Sequence, residues 1–184
     1  MRKIILVNGL IAGVIVSIMM LTSWVVMQNG YLDMDNGMVV GYTSMVISLS
    51  LIFFGIKTYR DQYNAGRISF GRGLVIGLLI TLIASILYAT SWQIFSYTIA
   101  TDFSEAYVDH QLEELRSGGA SEAEIQSEQK ELEENVKLYE IPVVRFLFTM
   151  MELLPVGIVI SLVAAGILRK RQILPAKKSA GGGI

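Results

Sequence analysis

The chain has 184 residues, of which 53% are hydrophobic and 17% charged, and its formal net charge is −1. A soluble domain of this length would carry more charged surface, so the composition predicts a membrane protein with several spans. The chain contains no cysteine, which excludes disulfides and thiolate metal sites.

Four long apolar runs follow one another along the chain, at 4–27, 39–56, 73–97 and 141–168. Each run meets or approaches the ~20 residues that a helix needs to cross a hydrocarbon core about 30 Å thick. The first run follows two basic residues and imitates a signal peptide, but it is longer than the ~7–15 apolar residues of such a signal, and no small-residue cleavage site follows it. We therefore predict an all-α membrane protein with four transmembrane helices, the first of which is retained.

The charge of the connecting segments alternates in sign along the chain. Basic residues precede the first run, dominate the loop 57–72 and follow the fourth run, whereas segment 28–38 has only acidic charges. Segment 101–140 carries twelve acids and three bases, a net charge of −9. Because basic segments stay in the cytoplasm, both termini are predicted to be cytoplasmic and the two acidic segments to face outward. Residues 1–172 form one transmembrane domain in this prediction, and 173–184 form a disordered cytoplasmic tail.

Small residues recur every three or four positions in each run, which places them along one helix face. Lipid gives helices no hydrophobic reason to associate, so close contact depends on small residues and interhelical hydrogen bonds. The residues predicted to pack the helices of one bundle include Gly9, Gly13, Gly73, Gly77 and Ser85. A polar pathway lined by Thr81, Ser85 and Tyr88 is the alternative, since hydroxyls that bond only to their own helix look the same in the sequence.

Aromatic residues lie near the outward ends of the first three runs. These residues are Trp24, Tyr31, Trp92 and Tyr97. Tryptophan and tyrosine are enriched where a membrane meets water, so an aromatic belt is expected at this level.

The acidic segment between the third and fourth runs has its own helical periodicity. Apolar residues recur at helical spacing on both sides of a break at 117–120, and Ser121 with Glu124 forms a capping box that predicts the start of a second helix. We predict an outward αα-hairpin over about 102–140, whose acids form either a solvated face or a docking surface for a protein partner. The single histidine, His110, has no second imidazole or thiolate to join it, so no metal site is predicted.

One carboxylate, Glu152, lies about eleven residues into the fourth run, or ~16 Å at 1.5 Å per residue, near the middle of the bilayer. A charge at that depth costs about 3 kcal/mol unless it is protonated, paired or hydrated. Arg145 and Thr149 precede it on the same face, Pro155 removes a backbone hydrogen bond, and Gly157 permits close approach of a neighbour. We predict a bent helix with an acid at the bend. Two roles stay open, a protonated acid that fixes the packing register and a functional polar site.

The loop between the second and third runs carries a recognisable pattern, as does the Glu-x-x-Pro-x-Gly of the fourth run. The loop residues that carry it are Tyr59, Arg60, Gly66, Ser69, Phe70 and Gly71, together with Gly55, Ile56, Ile68 and Gly77. Over nearly the whole chain the sequence resembles a family of small bacterial membrane proteins, domain of unknown function 4199. The resemblance implies a multi-pass protein of the bacterial inner membrane and implies no chemistry.

Enzyme motifs are missing from the sequence: it has no zinc-protease, nucleophile-elbow, P-loop or dinucleotide pattern. We therefore predict neither an enzyme nor a cofactor. The lipid bilayer is the expected environment, and no nucleic-acid partner is predicted. The expected function is that of a non-catalytic protein that binds or regulates a protein partner through the outward hairpin. The alternative is a small transporter or channel that uses Glu152 as an ion or proton site. Four spans leave little room for an internal path, so this alternative requires a homo-oligomer.

Overall fold

The computed structural model describes residues 1–170, without the side chains of Met34 and Asp35, and the tail predicted at 173–184 lies outside the described residues. Four segments in this range are long and apolar enough to cross a membrane, which confirms the four predicted spans. Their bounds are Arg2–Gln28, Asn36–Tyr63, Phe70–Thr98 and Pro142–Leu168. The protein is thus an all-helical, multi-pass membrane protein.

Seven α-helices and one π-helical turn make up the described range. In chain order they are α1 (Arg2–Gln28), α2 (Met34–Leu49), α3 (Leu51–Thr58), the π-turn (Tyr59–Tyr63), α4 (Phe70–Thr98), α5 (Phe103–Ser117), α6 (Glu122–Tyr139) and α7 (Pro142–Leu168). Four crossings bring the start of α1 and the end of α7 to one end of the bundle, called here the terminal end. The opposite end carries α5 and α6 and is called the hairpin end.

The second span consists of α2, α3 and the π-turn. It is interrupted at Ser50, whose backbone amide donates to both Val46 and Ile47 at 3.0 and 3.2 Å and whose hydroxyl donates to the Ile47 carbonyl at 2.6 Å. Such shared bonds tighten one helical turn without ending the helix, because backbone polar groups inside a membrane need partners within the protein.

The central helix of the bundle is α4, which packs between α1 and α7. Half of its most apolar window is buried inside the protein, against 33% for α1 and α7. The second span closes the remaining side of the bundle through the end of α2 and α3, where Leu49, Ile52 and Ile56 are fully buried. The core therefore lies around α4, in the terminal half of the bundle.

Small residues set the distance between α4 and its two neighbours. A Cβ added to Gly9 or Gly13 of α1 would lie within 2.8–2.9 Å of Ile83 or Leu87 on α4. On the other side of α4, Gly73 faces Ala165, Gly77 faces Ser161 and Thr81 faces Gly157. Successive contacts are four residues apart on both helices and run in opposite directions along the chain. The two helices are therefore antiparallel in one register, and their backbones approach closely.

Outside the bundle, α5 and α6 form an antiparallel pair. Their shared apolar contacts come from Leu112, Ile125 and Leu132, all buried. The capping box is formed, because the Ser121 amide donates to the Glu124 carboxylate at 2.8 Å and the Glu124 amide donates to the Ser121 hydroxyl at 3.4 Å. The pKa of Glu124 is lowered by the hydrogen bonds that its carboxylate accepts, first from the backbone amide of Ser121 and then from the Ser121 hydroxyl.

Candidate functional site

A cavity of about 320 Å³ lies in the hairpin half of the bundle. The four spans form its walls, and α5 and α6 form its roof. The described residues that line it are Val16, Met20, Ser23, Trp24, Met27, Gly37, Met38, Gly41, Tyr42, Ser44, Met45, Tyr88, Trp92, Phe103, Tyr107, Tyr139 and Glu152. Seven of these are aromatic and four are methionines, so the wall is apolar and polarisable, with one carboxylate in it.

The cavity exists because α2 brings little side-chain volume to this half of the bundle. A Cβ added to Gly41 would meet nothing within 4 Å, and one added to Gly37 would meet only the side chain of Met27. These two positions therefore leave space between the spans. In contrast, the residues of α3 below them are packed against α4 and α7.

Glu152 is the charged group of this cavity. Its Oε2 accepts a hydrogen bond of 3.2 Å from the hydroxyl of Tyr88, on the central helix. Its side chain is exposed to the cavity, and no described basic residue forms an ion pair with it. A carboxylate has roughly four sites that can accept a hydrogen bond, so this one retains most of its capacity for a ligand.

Aromatic residues from the spans and the hairpin meet at the roof of the cavity. The ring of Phe103 lies 5.6 Å from that of Trp24 and 4.9 Å from that of Trp92. The indole nitrogen of Trp92 donates to the hydroxyl of Tyr139 at 2.7 Å. Burial raises the pKa of the Tyr139 hydroxyl. The hairpin is thus attached to the spans by the residues that also cover the cavity.

Both tryptophans face into the bundle, with 7% of Trp24 and 8% of Trp92 exposed. The expected aromatic belt is therefore wrong for these two residues, because their rings pack on Phe95 and Phe103 instead of facing lipid. Tyr31 is exposed, as a belt residue would be.

Arg145 makes its contacts at the hairpin end, and its hydrogen bonds go to Ser96 and Tyr139 and not to Glu152. Its Nη1 donates to the hydroxyl of Ser96 at 2.9 Å, and its Nε donates to the carbonyl of Tyr139 at 3.2 Å. The guanidinium also lies over the rings of Tyr97 and Tyr139, at 4.7 and 5.1 Å from their centroids. This buried cation joins α4, α6 and α7 and sits beside the carboxyl end of α6, where the helix dipole favours positive charge.

The other three residues predicted around Glu152 belong to the framework of α7. The hydroxyl of Thr149 donates to the carbonyl of Arg145 at 2.9 Å. Pro155 lies within α7, which continues as one helix to Leu168. Gly157 packs against Thr81 of α4. Of the five residues predicted for this polar site, the structure places only Glu152 in the wall of the cavity.

The residues of the loop motif lie together at the terminal end of the bundle, and none of them lines the cavity. Arg60 is buried, and its guanidinium donates to Asp61 at 2.6 Å and to the last carbonyl of α7, that of Leu168, at 3.4 Å. The rings of Tyr59 and Tyr63 stack at 6.1 Å. This part of the motif therefore joins the end of the second span to the end of the fourth.

The rest of the motif starts α4. Gly66 has φ +73° and its amide donates to the carbonyl of Arg60 at 2.9 Å, which ends the π-turn. The hydroxyl of Ser69 accepts from the amide of Arg72 at 3.3 Å as the N-cap of α4. Phe70 lies under the guanidinium of Arg169, and a Cβ on Gly71 would meet open space. The motif thus fixes the geometry of a helix joint.

Sequence reasoning missed the part of the cavity that α1 and α2 supply. A signal was present, because Met20 and Met27 are seven residues apart on α1, and Met38 and Met45 are seven apart on α2. Residues seven apart lie on one face of a helix, two turns from each other. Two such methionine pairs mark two faces that line the same space.

Comparison with known proteins finds a family and no characterised relative. A family model described as "Protein of unknown function (DUF4199)" matches residues 8–170. No curated protein and no solved structure matches the sequence. The matched range contains the whole cavity lining, the hairpin and the loop motif.

Proposed function

Because the chain belongs to the DUF4199 family, whose description names no activity, we propose its function from the cavity around Glu152. In this proposal the protein is a non-catalytic membrane transporter that holds a small solute in this cavity and uses Glu152 as its ion or proton site. The observation that carries the proposal is a carboxylate at membrane depth that faces an open cavity with one hydrogen bond and no ion pair among the described residues.

The residues that line the cavity favour binding over catalysis. A hydrolytic or transfer site needs a nucleophile or acid–base pair at hydrogen-bond distance, together with a group that stabilises developing charge. The described lining offers one acid, hydroxyls and apolar walls. We therefore assign the cavity no chemical step.

Below the cavity the bundle is closed by buried apolar residues. Leu49, Ile52, Ile80 and Leu153 are all 0% exposed and fill the space between the second span, α4 and α7. Transport in this proposal therefore requires a second state in which that packing opens, as in alternating access.

The cavity lies within one chain, so binding needs no second copy. The homo-oligomer expected from the sequence stays a prediction for native mass spectrometry in nanodiscs.

Proton flux into proteoliposomes tests the role of Glu152. A potassium gradient with valinomycin imposes the potential, and a pH-sensitive dye reports proton entry. Wild-type protein should carry a flux that Glu152→Gln abolishes, while the exposed hairpin variant Glu134→Gln should retain it. Equal flux in wild type and Glu152→Gln, or no flux above that of empty vesicles in wild type, would refute the transporter.

We further propose that the hairpin end faces outward and the terminal end faces the cytoplasm of a bacterium, with the protein in the inner membrane. The support is the charge pattern, since Lys57, Arg60, Arg67 and Arg72 belong to the terminal end and the acidic helices to the hairpin end. The cysteine-free sequence makes the test direct. Ser127→Cys should react with a membrane-impermeant maleimide on intact spheroplasts, whereas Gln62→Cys should react only after permeabilisation. The reverse pattern would invert the topology.

The hairpin supports a second candidate, the partner-binding role expected from the sequence. Its buried apolar residues pack between α5 and α6, while segment 101–140 carries a net charge of −9 with its acids mostly exposed. Such a surface suits a basic protein partner. A photo-crosslinking residue at Glu134 should capture one partner in a salt-sensitive manner. Capture of copies of the same chain alone would refute this role.

A further inference from the structure

The chemistry of the cavity wall indicates which solutes it can hold, and this inference rests on the proposed function. We infer that the cavity binds a small organic cation of single positive charge with an apolar or aromatic body. The inference follows from the charge of the cavity, from its aromatic surface and from its size.

An ionised Glu152 favours a cation in the cavity. Glu152 is the one charged side chain among the described lining residues, and the Tyr88 hydroxyl is its one hydrogen-bond donor. The buried guanidinium of Arg145 is engaged with Ser96, Tyr97 and Tyr139 and lines a separate cavity. Beside a neutral solute an ionised Glu152 would stay uncompensated within the membrane, and an ionised Glu152 would repel an anion.

The rest of the wall favours an organic cation over a hydrated metal ion. Calcium and magnesium require about six oxygen ligands, whereas this cavity offers one carboxylate and a few hydroxyls. Its aromatic faces can instead attract a cation through their ring quadrupoles, most strongly those of tryptophan. Trp92 and Tyr88 are one helical turn apart on α4, so an indole and the phenol that holds Glu152 lie side by side in the wall.

The methionines and the size of the cavity narrow the class. Thioether side chains are flexible and polarisable, so Met20, Met27, Met38 and Met45 can adapt to apolar groups of different shapes. The volume of about 320 Å³ is near the lower end of the ~300–1,000 Å³ typical of ligand pockets. A cation with a single ring fits these limits, and benzyltrimethylammonium is a suitable probe.

The two tryptophans provide a direct measurement. The sequence contains only Trp24 and Trp92, and both line the cavity, so the intrinsic fluorescence of the intact protein reports occupancy. Full-length protein in nanodiscs is titrated with benzyltrimethylammonium and, separately, with its uncharged carbon isostere neopentylbenzene. The cation should saturate a fluorescence change, and its Kd should be at least about tenfold lower than that of the isostere, since one desolvated cation–π contact or ion pair supplies that ratio.

Substitutions separate the charge from the shape of the site. Glu152→Gln should raise the Kd of the cation about tenfold or more and leave that of the isostere unchanged. The exposed variant Glu134→Gln should change neither. Glu152→Asp keeps the charge and should restore most of the affinity, which guards against a misfolded glutamine variant. Thermal melting of each variant is measured in the same nanodiscs.

The outcomes distinguish this inference from the proposed function. Equal affinity for cation and isostere, no fluorescence change with the cation, or a Glu152→Gln variant that binds the cation as wild type does would each overturn the inference. Saturation by Ag⁺ without any response to the organic cation would also overturn it, in favour of a thioether metal site. If the cation fails to bind while proton flux still depends on Glu152, the organic-cation class is wrong and the transporter stands. If the cation binds and no flux occurs, transport fails and the binding site stands.

Discussion

The two halves of the bundle use small residues in opposite ways. In the terminal half, Gly77 and Gly157 meet Ser161 and Thr81 on the facing helix, and the backbones approach closely. In the hairpin half, Gly41 has no atom opposite its absent side chain, and a cavity results. A small residue therefore tightens a membrane bundle only where the facing helix moves in to occupy the space. Where the facing helix stays at a distance, the same residue leaves a cavity.

Overpacking the terminal half of the bundle should give the largest effect on stability. In Gly157→Val the new side chain would overlap Thr81, whose atoms lie within van der Waals distance of the glycine. We expect a loss of about 3 kcal/mol, the upper part of the range for overpacked cores. Unfolding by steric trapping in micelles measures it. The double variant Gly157→Val with Thr81→Ala should recover part of the loss. A variant as stable as wild type would show that α4 and α7 are not in direct contact here.

Removal of the Arg145 guanidinium should give the next largest effect. Arg145→Gln loses charged hydrogen bonds to Ser96 and to the Tyr139 carbonyl and its contacts with two aromatic rings. The expected loss is about 2 kcal/mol, since hydrogen bonds to charged groups contribute roughly 1.5–3 kcal/mol. Limited proteolysis should then cut the α6–α7 junction faster. The exposed Arg116→Gln serves as the control and should lower stability by less than about 0.5 kcal/mol. Similar losses for both variants would contradict the anchoring role.

Filling the cavity in the hairpin half should change ligand binding much more than stability. Gly41→Leu adds a side chain to a position with nothing within 4 Å, so we expect stability to change by less than about 1 kcal/mol. The added volume occupies the cavity, and the benzyltrimethylammonium response of the tryptophans should disappear. Gly166→Leu, which also has nothing within 4 Å but lies outside the cavity, is the matched control. Retained binding in Gly41→Leu would mean that the cavity is not the site.

The smallest effect concerns the start of α6 in acid. The pKa of Glu124 is lowered in the folded protein, so its capping contribution is fully present above the pKa of the unfolded state and is lost as the pH falls through the lower folded value. The protection factors for amide hydrogen exchange in the first turn of α6 should fall over this acidic range. Glu124→Gln should remove the pH dependence. Loss of protection around Leu132, in the middle of α6, would instead indicate unfolding of the whole hairpin.

The sequence was sufficient to predict the four spans, because each apolar run is long enough to cross a bilayer and is bounded by charges. It also placed the capping box of Ser121 and Glu124, since that motif needs only neighbours in the chain. Contacts between helices were harder to predict. A periodicity of 3.6 residues assigns Gly73 and Gly77 to one face, but it does not say that this face meets Ser161 and Ala165.

The candidate site illustrates the same limit. Glu152 stands out in the sequence because a carboxylate in an apolar run is rare. Its partner Tyr88 is 64 positions away and the link exists only in the folded bundle. Trp92 fits a lipid-facing belt and an interior wall equally well by spacing, and only the packing of Phe103 over it decides the direction. Arg145 likewise shares a helix face with Glu152 but bonds to residues on two other helices.

The register between α4 and α7 also determines how this molecule could move. The last glycine contact along that register, Thr81 with Gly157, lies just below the acid, and Arg60 fastens the far end of α7 to the second span. Two residues from that contact, the nitrogen of Pro155 donates no hydrogen bond, so the backbone of α7 is weakest there. A swing of the upper part of α7 would therefore pivot at this point and carry Glu152 sideways while the lower part stays at rest.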